Sequence, residues 1–371
     1  MTMLKTTQRA LLEPLERIVG IVERRQTLPI LAHVMLRQIG TTLELTTSDL
    51  DLQLRTTLAL GPQGEGFAAT VSARKFTDIL RALPPDQAVT LTTSARTLTL
   101  QAGRSRYVLQ TLPVEDFPLV QEAPDFGTAH SVSQAVLKGL IDQVAFAMAT
   151  HDIRYFLNGM LMLAEGRQLT VVATDGNRLA LASTGLNDEL ALQQVILPRK
   201  TVHELQRLLR ADAGTDTPVQ MRFAAAQVKF SFDGIEFVSK LIEGRFPDYK
   251  RVIPRDHARR VTMDRVALLE GLRRASILTS ERFRGVRMEV AAGVVRVAAT
   301  NAEREESHEE LEADCSGEAL AIGFNVSYLI DVLDHTSADT VVLEMQDAGS
   351  GALFSFPGRD DFKYVVSPMR L

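Results

Sequence analysis

The chain has 371 residues, enough for two or three domains, and its 45% hydrophobic and 23% charged residues are ordinary for a globular protein. A formal net charge of −5 excludes a surface that is basic all over, so any contact with nucleic acid must be a local patch. The single cysteine, Cys315, excludes an internal disulfide, and no apolar run is long enough for a membrane span. With no apolar leader at the N-terminus, a cytoplasmic protein is expected.

Three copies of one pattern follow one another along the chain. Each copy opens with an amphipathic helix, around Leu11–Val22, Val136–Met148 and Asp264–Leu278. A strand that runs into a second helix follows, at Thr70–Leu83, Val195–Leu209 and Ala321–Leu333, and a hairpin ends each copy. Pro14 is expected to kink the first helix or to mark its start, and Asp233-Gly234 predicts a two-residue hairpin turn.

The pattern repeats with a long period. Alternating strands end in polar turns at Asp49, Asp175 and Asn301, which lie 126 residues apart. Helices combined with hairpins predict an α+β fold with antiparallel sheets, built as three tandem domains. We predict domains at 1–125, 126–254 and 255–371, because turn residues cluster near both boundaries.

Familiar catalytic and metal-binding motifs are missing. The sequence has no glycine-rich phosphate loop, and its seven histidines form no HExxH pair. Asp49-Leu50-Asp51 resembles a metal-binding pair, but a polar turn is the preferred interpretation. Cys315 has no activating neighbour in the sequence. An active site assembled from distant residues stays open at this point.

Basic residues concentrate on the predicted helices. They include Arg9, Arg17, Arg24, Arg25, Arg74, Lys75, Arg81, Lys138, Arg199, Lys200, Arg207, Arg210, Arg265, Arg273 and Arg274. A solvated face is the simplest interpretation of any one helix. If equivalent helices line one surface, however, their cations form a stripe that contacts DNA phosphates without reading sequence.

Opposite charges mark the two ends of the chain. The run Glu303–Asp314 is acidic, whereas the first copy carries Arg96, Arg104 and Arg106 on its hairpin. This asymmetry indicates head-to-tail association, which closes into a ring when the rotation permits.

Eight segments in order form a specific pattern: TLPIL (Thr27–Leu31), GRSRY (Gly103–Tyr107), DIRYFLNGM (Asp152–Met160), VATDGNRLA (Val172–Ala180), GRFPDYKRVIP (Gly244–Pro254), FRGVR (Phe283–Arg287), IGFNVSYLIDVL (Ile322–Leu333) and PMRL (Pro368–Leu371). Over essentially the whole chain they resemble the beta sliding clamps of bacterial DNA polymerase III. The resemblance implies three DNA-clamp domains, each with two helices against antiparallel sheets, in a head-to-tail homodimeric ring around duplex DNA. It implies a non-catalytic processivity factor, without cofactor or metal, that is associated with the nucleoid during replication.

The resemblance also implies residues for sequence-independent DNA contact: Arg25, Arg74, His151, Tyr155, Phe156, Arg199 and Lys200. His151 stands where the family commonly has glutamine, and Phe156 stands where it commonly has tyrosine. Phenylalanine lacks the hydroxyl donor, and ordinary packing is the alternative interpretation of Tyr155-Phe156.

A groove for short Gln-x-Leu-Phe-like motifs is implied as well. Its partners are expected to be the polymerase III alpha subunit, the clamp loader, other DNA polymerases and repair proteins. The matching residues are Arg154, Leu157, Thr174, Gly176, Asn177, Arg178, Leu179, Pro247, Arg251, Val252, Val365, Pro368, Met369, Arg370 and Leu371. Asn177 replaces a common histidine and Ser367 a common methionine.

The ring contact is the third implied site. One side comprises Arg104, Arg106, Tyr107 and Leu109, the other comprises Ile277, Leu278, Glu303, Glu305 and Glu306, and Lys75 completes the set. Two alternatives remain from the residues themselves: a DNA-processing enzyme with an active site scattered in sequence, and a stand-alone structural repeat protein.

Overall fold

The computed structural model describes residues 2–23, 28–62, 64, 66–212, 217–255, 257–280 and 284–370. Contacts divide the chain into two compact units. The first comprises Met1–Ala135 and His203–Leu241, and the second comprises Val136–Val202 and Ile242–Leu371. The three domain ranges given above remain a prediction.

Six α-helices occur in the described residues, and each begins directly after a strand. They are α1 (Gln8–Ile18), α2 (Ala73–Ala82), α3 (Gln134–Val144), α4 (Arg199–Leu208), α5 (Arg265–Ser276) and α6 (Val326–Asp334). Side-chain oxygens of Thr7, Asp264 and Asn325 accept backbone N–H groups in the first turns of α1, α5 and α6. Such caps satisfy donors that have no partner within the helix.

The remaining elements are mostly strands. They are β1 (Met3–Thr7), β2 (His33–Ile39), β3 (Thr42–Ser48), β4 (Leu52–Ala59), β5 (Ala68–Ser72), β6 (Ala88–Ser94), β7 (Thr97–Ala102), β8 (Ser105–Gln110), β9 (His130–Ser133), β10 (Gly159–Thr174), β11 (Arg178–Pro198), β12 (Pro218–Phe223), β13 (Gln227–Phe232), β14 (Ile235–Lys240), β15 (Arg259–Asp264), β16 (Gly285–Ala291), β17 (Val294–Thr300), β18 (Glu306–Glu312), β19 (Asp314–Ser316), β20 (Leu320–Asn325), β21 (Thr340–Met345), β22 (Ala352–Ser355) and β23 (Phe362–Val366).

The first unit holds two antiparallel sheets. One has the order β1-β6-β7-β8, and the other has the order β5-β2-β3-β4-β14-β13-β12-β9. The eight-stranded sheet consists of two four-stranded halves that meet where β4 pairs with β14, with Leu54 opposite Phe237.

The second unit is built in the same way. Its sheets have the orders β10-β11-β23-β22-β21-β15-β19 and β18-β17-β16-β20. Here the long strands β10 and β11 meet the other five strands of the seven-stranded sheet where β11 pairs with β23, with Leu179 opposite Val365. Because the strand pairs are antiparallel throughout the described residues, the α+β prediction is confirmed.

The polar turns confirm the repeat. Asp49, Asp175 and Asn301 each follow a strand, and each accepts a backbone N–H from its own turn through a side-chain oxygen. The next residue has a positive φ in two copies, 82° at Leu50 and 93° at Gly176. Glycine adopts this conformation freely, whereas leucine is strained there.

Two local expectations have different outcomes. Asp233 and Gly234 both have positive φ, 47° and 72°, as a two-residue hairpin turn requires. Pro14 does not mark the start of α1, because this helix begins six residues earlier, at Gln8. It lies inside the helix, where it removes the N–H that would bond to the Ala10 carbonyl.

Buried apolar side chains form the core between helices and sheets. Leu11, Leu15 and Ile18 on α1 and Leu268 and Leu272 on α5 are almost inaccessible to solvent. In the part of the chain that the structure describes, no helix is both long and apolar enough to cross a membrane.

Candidate functional site

The predicted peptide pocket is centred on the turn between β10 and β11. Thr174 Oγ1 donates to the Arg178 carbonyl at 2.6 Å and accepts the Gly176 N–H at 3.0 Å. Asp175 Oδ1 accepts the N–H groups of Asn177 and Arg178. The turn is therefore held by its own side chains, which fixes the end of β10 and the start of β11.

Arg178 ties this turn to two other elements. Its guanidinium forms a hydrogen-bonded ion pair with Asp331 on α6 and donates to the Phe146 carbonyl at 2.7 Å. The guanidinium carbon also lies 4.5 Å from the centroid of the Tyr328 ring, close enough for a cation–π interaction. With only 10% of its side chain exposed, Arg178 acts as a structural clamp beneath the pocket.

Replacing Arg178 by methionine should destabilise the protein substantially. The variant keeps an unbranched stem but leaves Asp331 and the Phe146 carbonyl without their partner. We expect the free energy of unfolding to fall by roughly 3 kcal/mol. This value is at the lower end of the losses seen when one partner of a buried ion pair is removed, because the Asp331 side chain is 37% exposed.

Urea unfolding of the variant measures this loss, and Arg287→Met is the matched control. Arg287 pairs with Glu289 at 2.8 Å on an exposed surface, where loss of an ion pair changes stability by about 1 kcal/mol or less. Equal losses in both variants would contradict the structural role of Arg178.

An apolar cluster forms the floor of the pocket. Leu179 and Val365 are buried and belong to one cluster with Val172, Phe246 and Leu353. Beside it, Val252 is 51% exposed, which is unusual for a large apolar side chain that has a core next to it. Pro247 and Arg251 are also exposed. Exposed apolar walls next to an apolar floor suit an apolar ligand.

The C-terminal segment runs along the same turn. Ser367 N–H donates to the Asn177 carbonyl at 2.8 Å, and Met369 N–H donates to the Gly323 carbonyl at 2.7 Å. Pro368 and Met369 are half-buried and Arg370 is exposed. Leu371 lies outside the described residues.

A short loop forms the opposite side of the turn. Arg154 bonds to both carboxylate oxygens of Asp152, and these bonds lower the pKa of Asp152 to about 2. The Nη2 atom of Arg154 also lies 3.4 Å from the Asp175 carbonyl oxygen. A Cβ added to Gly176 would lie 2.8 Å from this nitrogen, so the glycine permits the close approach. Leu157, at the end of the loop, is buried.

The predicted DNA-contacting residues differ in their surroundings. Tyr155 is exposed, whereas Phe156 is partly buried against the apolar cluster, as the packing alternative predicted. His151 has a φ of 57° and an exposed side chain. Arg199 donates to the Met148 carbonyl at 2.9 Å, and Lys200 is half-buried.

The first unit contributes one described DNA candidate. Arg74 on α2 is exposed, and its Nε lies 4.0 Å from Asp78. Arg25 lies outside the described residues.

The predicted ring-contact residues occupy two surfaces, one on each unit. In the first unit, Lys75 is exposed on α2, Arg104 and Arg106 are exposed on the β7–β8 hairpin, and Tyr107 and Leu109 are half-buried. In the second unit, Ile277 is 76% exposed at the end of α5, next to half-buried Leu278. Glu303, Glu305 and Glu306 are exposed at the start of β18.

The surroundings of Cys315 and of the Asp49-Leu50-Asp51 turn do not support a catalytic or metal-binding role for these residues. Burial raises the pKa of the Cys315 thiol, which disfavours the reactive thiolate. Asp49 bonds to its own turn, and Asp51 pairs with Lys240 at 2.9 Å. Among the described residues, no cluster of three or more His, Cys, Asp or Glu side chains is placed to hold a metal ion.

The residues that hold Arg178 were not predicted from the sequence. Tyr328 and Asp331 lie three positions apart, on one face of α6, and Phe146 follows α3. The i, i+3 spacing of an aromatic and an acidic residue in a predicted helix was a usable signal. It did not reveal which arginine would be the partner.

Comparisons with known proteins agree along the whole chain. Family models match residues 2–121, 131–248 and 250–370, and they describe the N-terminal, central and C-terminal domains of the DNA polymerase III beta subunit. A beta sliding clamp of Pseudomonas putida is 44% identical over 368 residues, which cover 99% of each chain.

Solved structures give the same result. A DNA polymerase sliding clamp from Pseudomonas aeruginosa, crystallised with a ligand, aligns with a TM-score of 0.95 at 41% identity and covers 100% of both chains. A sliding clamp from the same species bound to griselimycin aligns with a TM-score of 0.94 at 42% identity, again over 100% of both chains.

Proposed function

This chain belongs to the DNA polymerase III beta subunit family and is a sliding clamp, a non-catalytic processivity factor; from this premise we propose that two copies close head to tail into a ring around duplex DNA. The alternative of a scattered active site is set aside, because members of this family are accessory proteins without catalysis.

Two unpaired sheet edges carry this proposal. In the first, second and third copies, the strand that follows the polar turn is β4, β11 and β18, respectively. The last strand of the hairpin is β8, β14 and β23, respectively. Within the chain β4 pairs with β14 and β11 pairs with β23, whereas β18 and β8 are left at sheet edges. We infer that β18 of one protomer pairs with β8 of its partner, which makes a third junction of the same type.

The side chains along these edges are complementary. Arg104 and Arg106 would meet the acidic surface around Glu303, Glu305 and Glu306. Exposed Ile277 would be buried against Tyr107 and Leu109 of the partner, which supplies an apolar centre. Pairing both edges also removes a surface prone to aggregation.

Inside the ring, DNA contact would be weak and independent of sequence. Exposed Arg74 and Tyr155, with Arg199 and Lys200 at the start of α4, offer phosphate and stacking contacts on a chain whose net charge is −5. Retention then depends on topology, and the tethered polymerase remains at high effective concentration near its primer end.

The pocket around Leu179, Val252 and Val365 would hold the Leu-Phe pair of a Gln-x-Leu-Phe-like motif. Partners carrying such motifs would include the polymerase III alpha subunit, the clamp loader, other DNA polymerases and repair proteins. Burying two large apolar side chains contributes roughly 3–6 kcal/mol before ordering costs, which suits an exchangeable site. A cytoplasmic location, at the nucleoid during replication, is part of the proposal.

Loading on circular DNA tests the proposed ring. Protein loaded onto nicked circular duplex by a clamp loader with ATP should stay bound during gel filtration, and linearising the circle should release it. The physical reason is that weak phosphate contacts permit sliding off a free end.

Matched linear DNA with both ends blocked by bulky protein is the control, and it should retain the clamp. Equal retention on open linear and circular DNA would contradict topological linkage.

A further inference from the structure

A cavity of about 570 Å³ opens on the second unit, and no function above accounts for it. Its floor includes Leu181 and Leu353, its wall includes Tyr249 and Ile253, and its rim includes Arg255 and Lys363. We call it the side groove. It is amphipathic, since apolar side chains cover the floor and charged groups stand at the rim.

The side groove shares its floor with the peptide pocket. Leu181 lies two residues from Leu179 on β11, and Lys363 lies two residues from Val365 on β23. Residues two apart in a strand project from the same face, about 7 Å from each other. Leu353 pairs directly with Val365, so the two floors are continuous.

A second hollow of about 590 Å³ adjoins the side groove. It shares Ile253 and Arg255 with the side groove and extends to Arg251, which is one of the predicted pocket residues. The hollow therefore lies between Arg251 and the side groove, on the side where a peptide in the predicted pocket would continue.

The charges at the rim favour an acidic ligand. Lys250, Arg255 and Lys363 are exposed and have no ion pair within the described residues. Glu165 and Asp360 also line the groove, so the formal charge of the lining is only slightly positive with His257 neutral. The complementary ligand thus carries a few acids beside an apolar residue, not a long acidic run.

We propose that the side groove binds the residues that directly follow the Leu-Phe pair of a partner's motif, and that it selects a flank with one large apolar and two acidic side chains. This inference rests on the proposed peptide pocket. The flank adds affinity by burying an apolar side chain against Leu181 and Leu353 and by placing its acids near Arg255 and Lys363.

Fluorescence anisotropy with three labelled peptides tests the proposal: the core motif, the core with the acidic–apolar flank after Leu-Phe, and the core with the same flank before the glutamine. We expect the flank after Leu-Phe to tighten binding roughly tenfold, and the flank before glutamine to have little effect. In the double variant Arg255→Glu/Lys363→Glu the gain should disappear, while the core peptide binds as to the unaltered protein.

Arg37→Glu/Arg222→Glu is the matched control, because both arginines are exposed on strands of the first unit and the change in net charge is the same. Its peptide affinities should not change, and melting curves of both double variants check folding. No gain from the flank, or an equal loss in the control, would overturn the side groove. A core peptide that fails to bind would overturn the pocket itself, and failure of all three peptides would overturn both.

Discussion

Val108→Pro should convert the dimeric ring into monomers. The Thr111 N–H bonds to the carbonyl of Arg96, which directly precedes β7. Alternate residues of β8 therefore direct their N–H groups toward β7, and the Val108 N–H points to the open edge. Proline removes this donor and places its ring against the incoming strand, which we expect to weaken the dimer by roughly 3 kcal/mol, about a hundredfold. Light scattering across a dilution series measures the change.

Val108→Ala is the control, because it shortens the side chain but keeps the N–H. It should remain dimeric, and both variants should melt at similar temperatures, since an edge position tolerates proline without loss of the β7–β8 pairing. If the proline variant stays dimeric at the dilution where the ring normally dissociates, the proposed β8–β18 junction is wrong. The proline variant should also fail to stay on circular DNA.

Val252→Asp should remove most of the affinity for a Gln-x-Leu-Phe peptide. Val252 is exposed and directly precedes Ile253, which packs against the cluster that holds Leu179 and Val365. A carboxylate at this predicted pocket position would have to be desolvated when the Leu-Phe pair enters. We expect a loss of roughly 2 kcal/mol, about thirtyfold, in an anisotropy titration. Stimulation of the polymerase should fall in parallel.

Val266→Asp provides a matched control, because Val266 is 50% exposed on α5 and belongs to no predicted pocket. Its peptide affinity should stay unchanged. Deleting Met369–Leu371 should also abolish binding, since the tail lies beside the Asn177 turn. Peptide binding that survives both pocket changes would refute the pocket, and unfolding on truncation would assign the tail a structural role.

Most local elements were predictable because their signals are local. The spacing of Leu137, Leu140, Ile141, Val144 and Met148 predicted one buried helix face, and all five residues are buried. The helix itself ends at Val144, so Met148 lies beyond it. Asp233-Gly234 indicated its hairpin because few dipeptides accept two positive φ angles. Pro14 was harder to interpret, because a helix tolerates an internal proline only where tertiary packing offsets the missing backbone hydrogen bond.

The site was predictable only in part. The segments VATDGNRLA and PMRL identified the turn and the tail through a family resemblance, and the turn chemistry of Asp175 was evident from its residue type. The role of Phe156 was not evident from its residue type, because a phenylalanine can stack on a ligand or pack in a hydrophobic core. Its packing against the apolar cluster depends on residues far along the chain.

The amino-acid sequence alone was sufficient for the three-fold repeat and the α+β class, because periodicity and turn chemistry act between near neighbours. The order of elements was predicted only in part, because each copy opens with a short strand, β1, β9 or β15, and not with its first helix. Only the tertiary structure showed that β4 pairs with β14, that β11 pairs with β23, and that β18 and β8 lie at the edges of their sheets. Alternating strands look alike in sequence, so their partners are selected by the packing of whole sheets. The same holds for Arg178, whose partner Asp331 lies 153 residues away, since such a pair forms only after the fold has brought the two charges together.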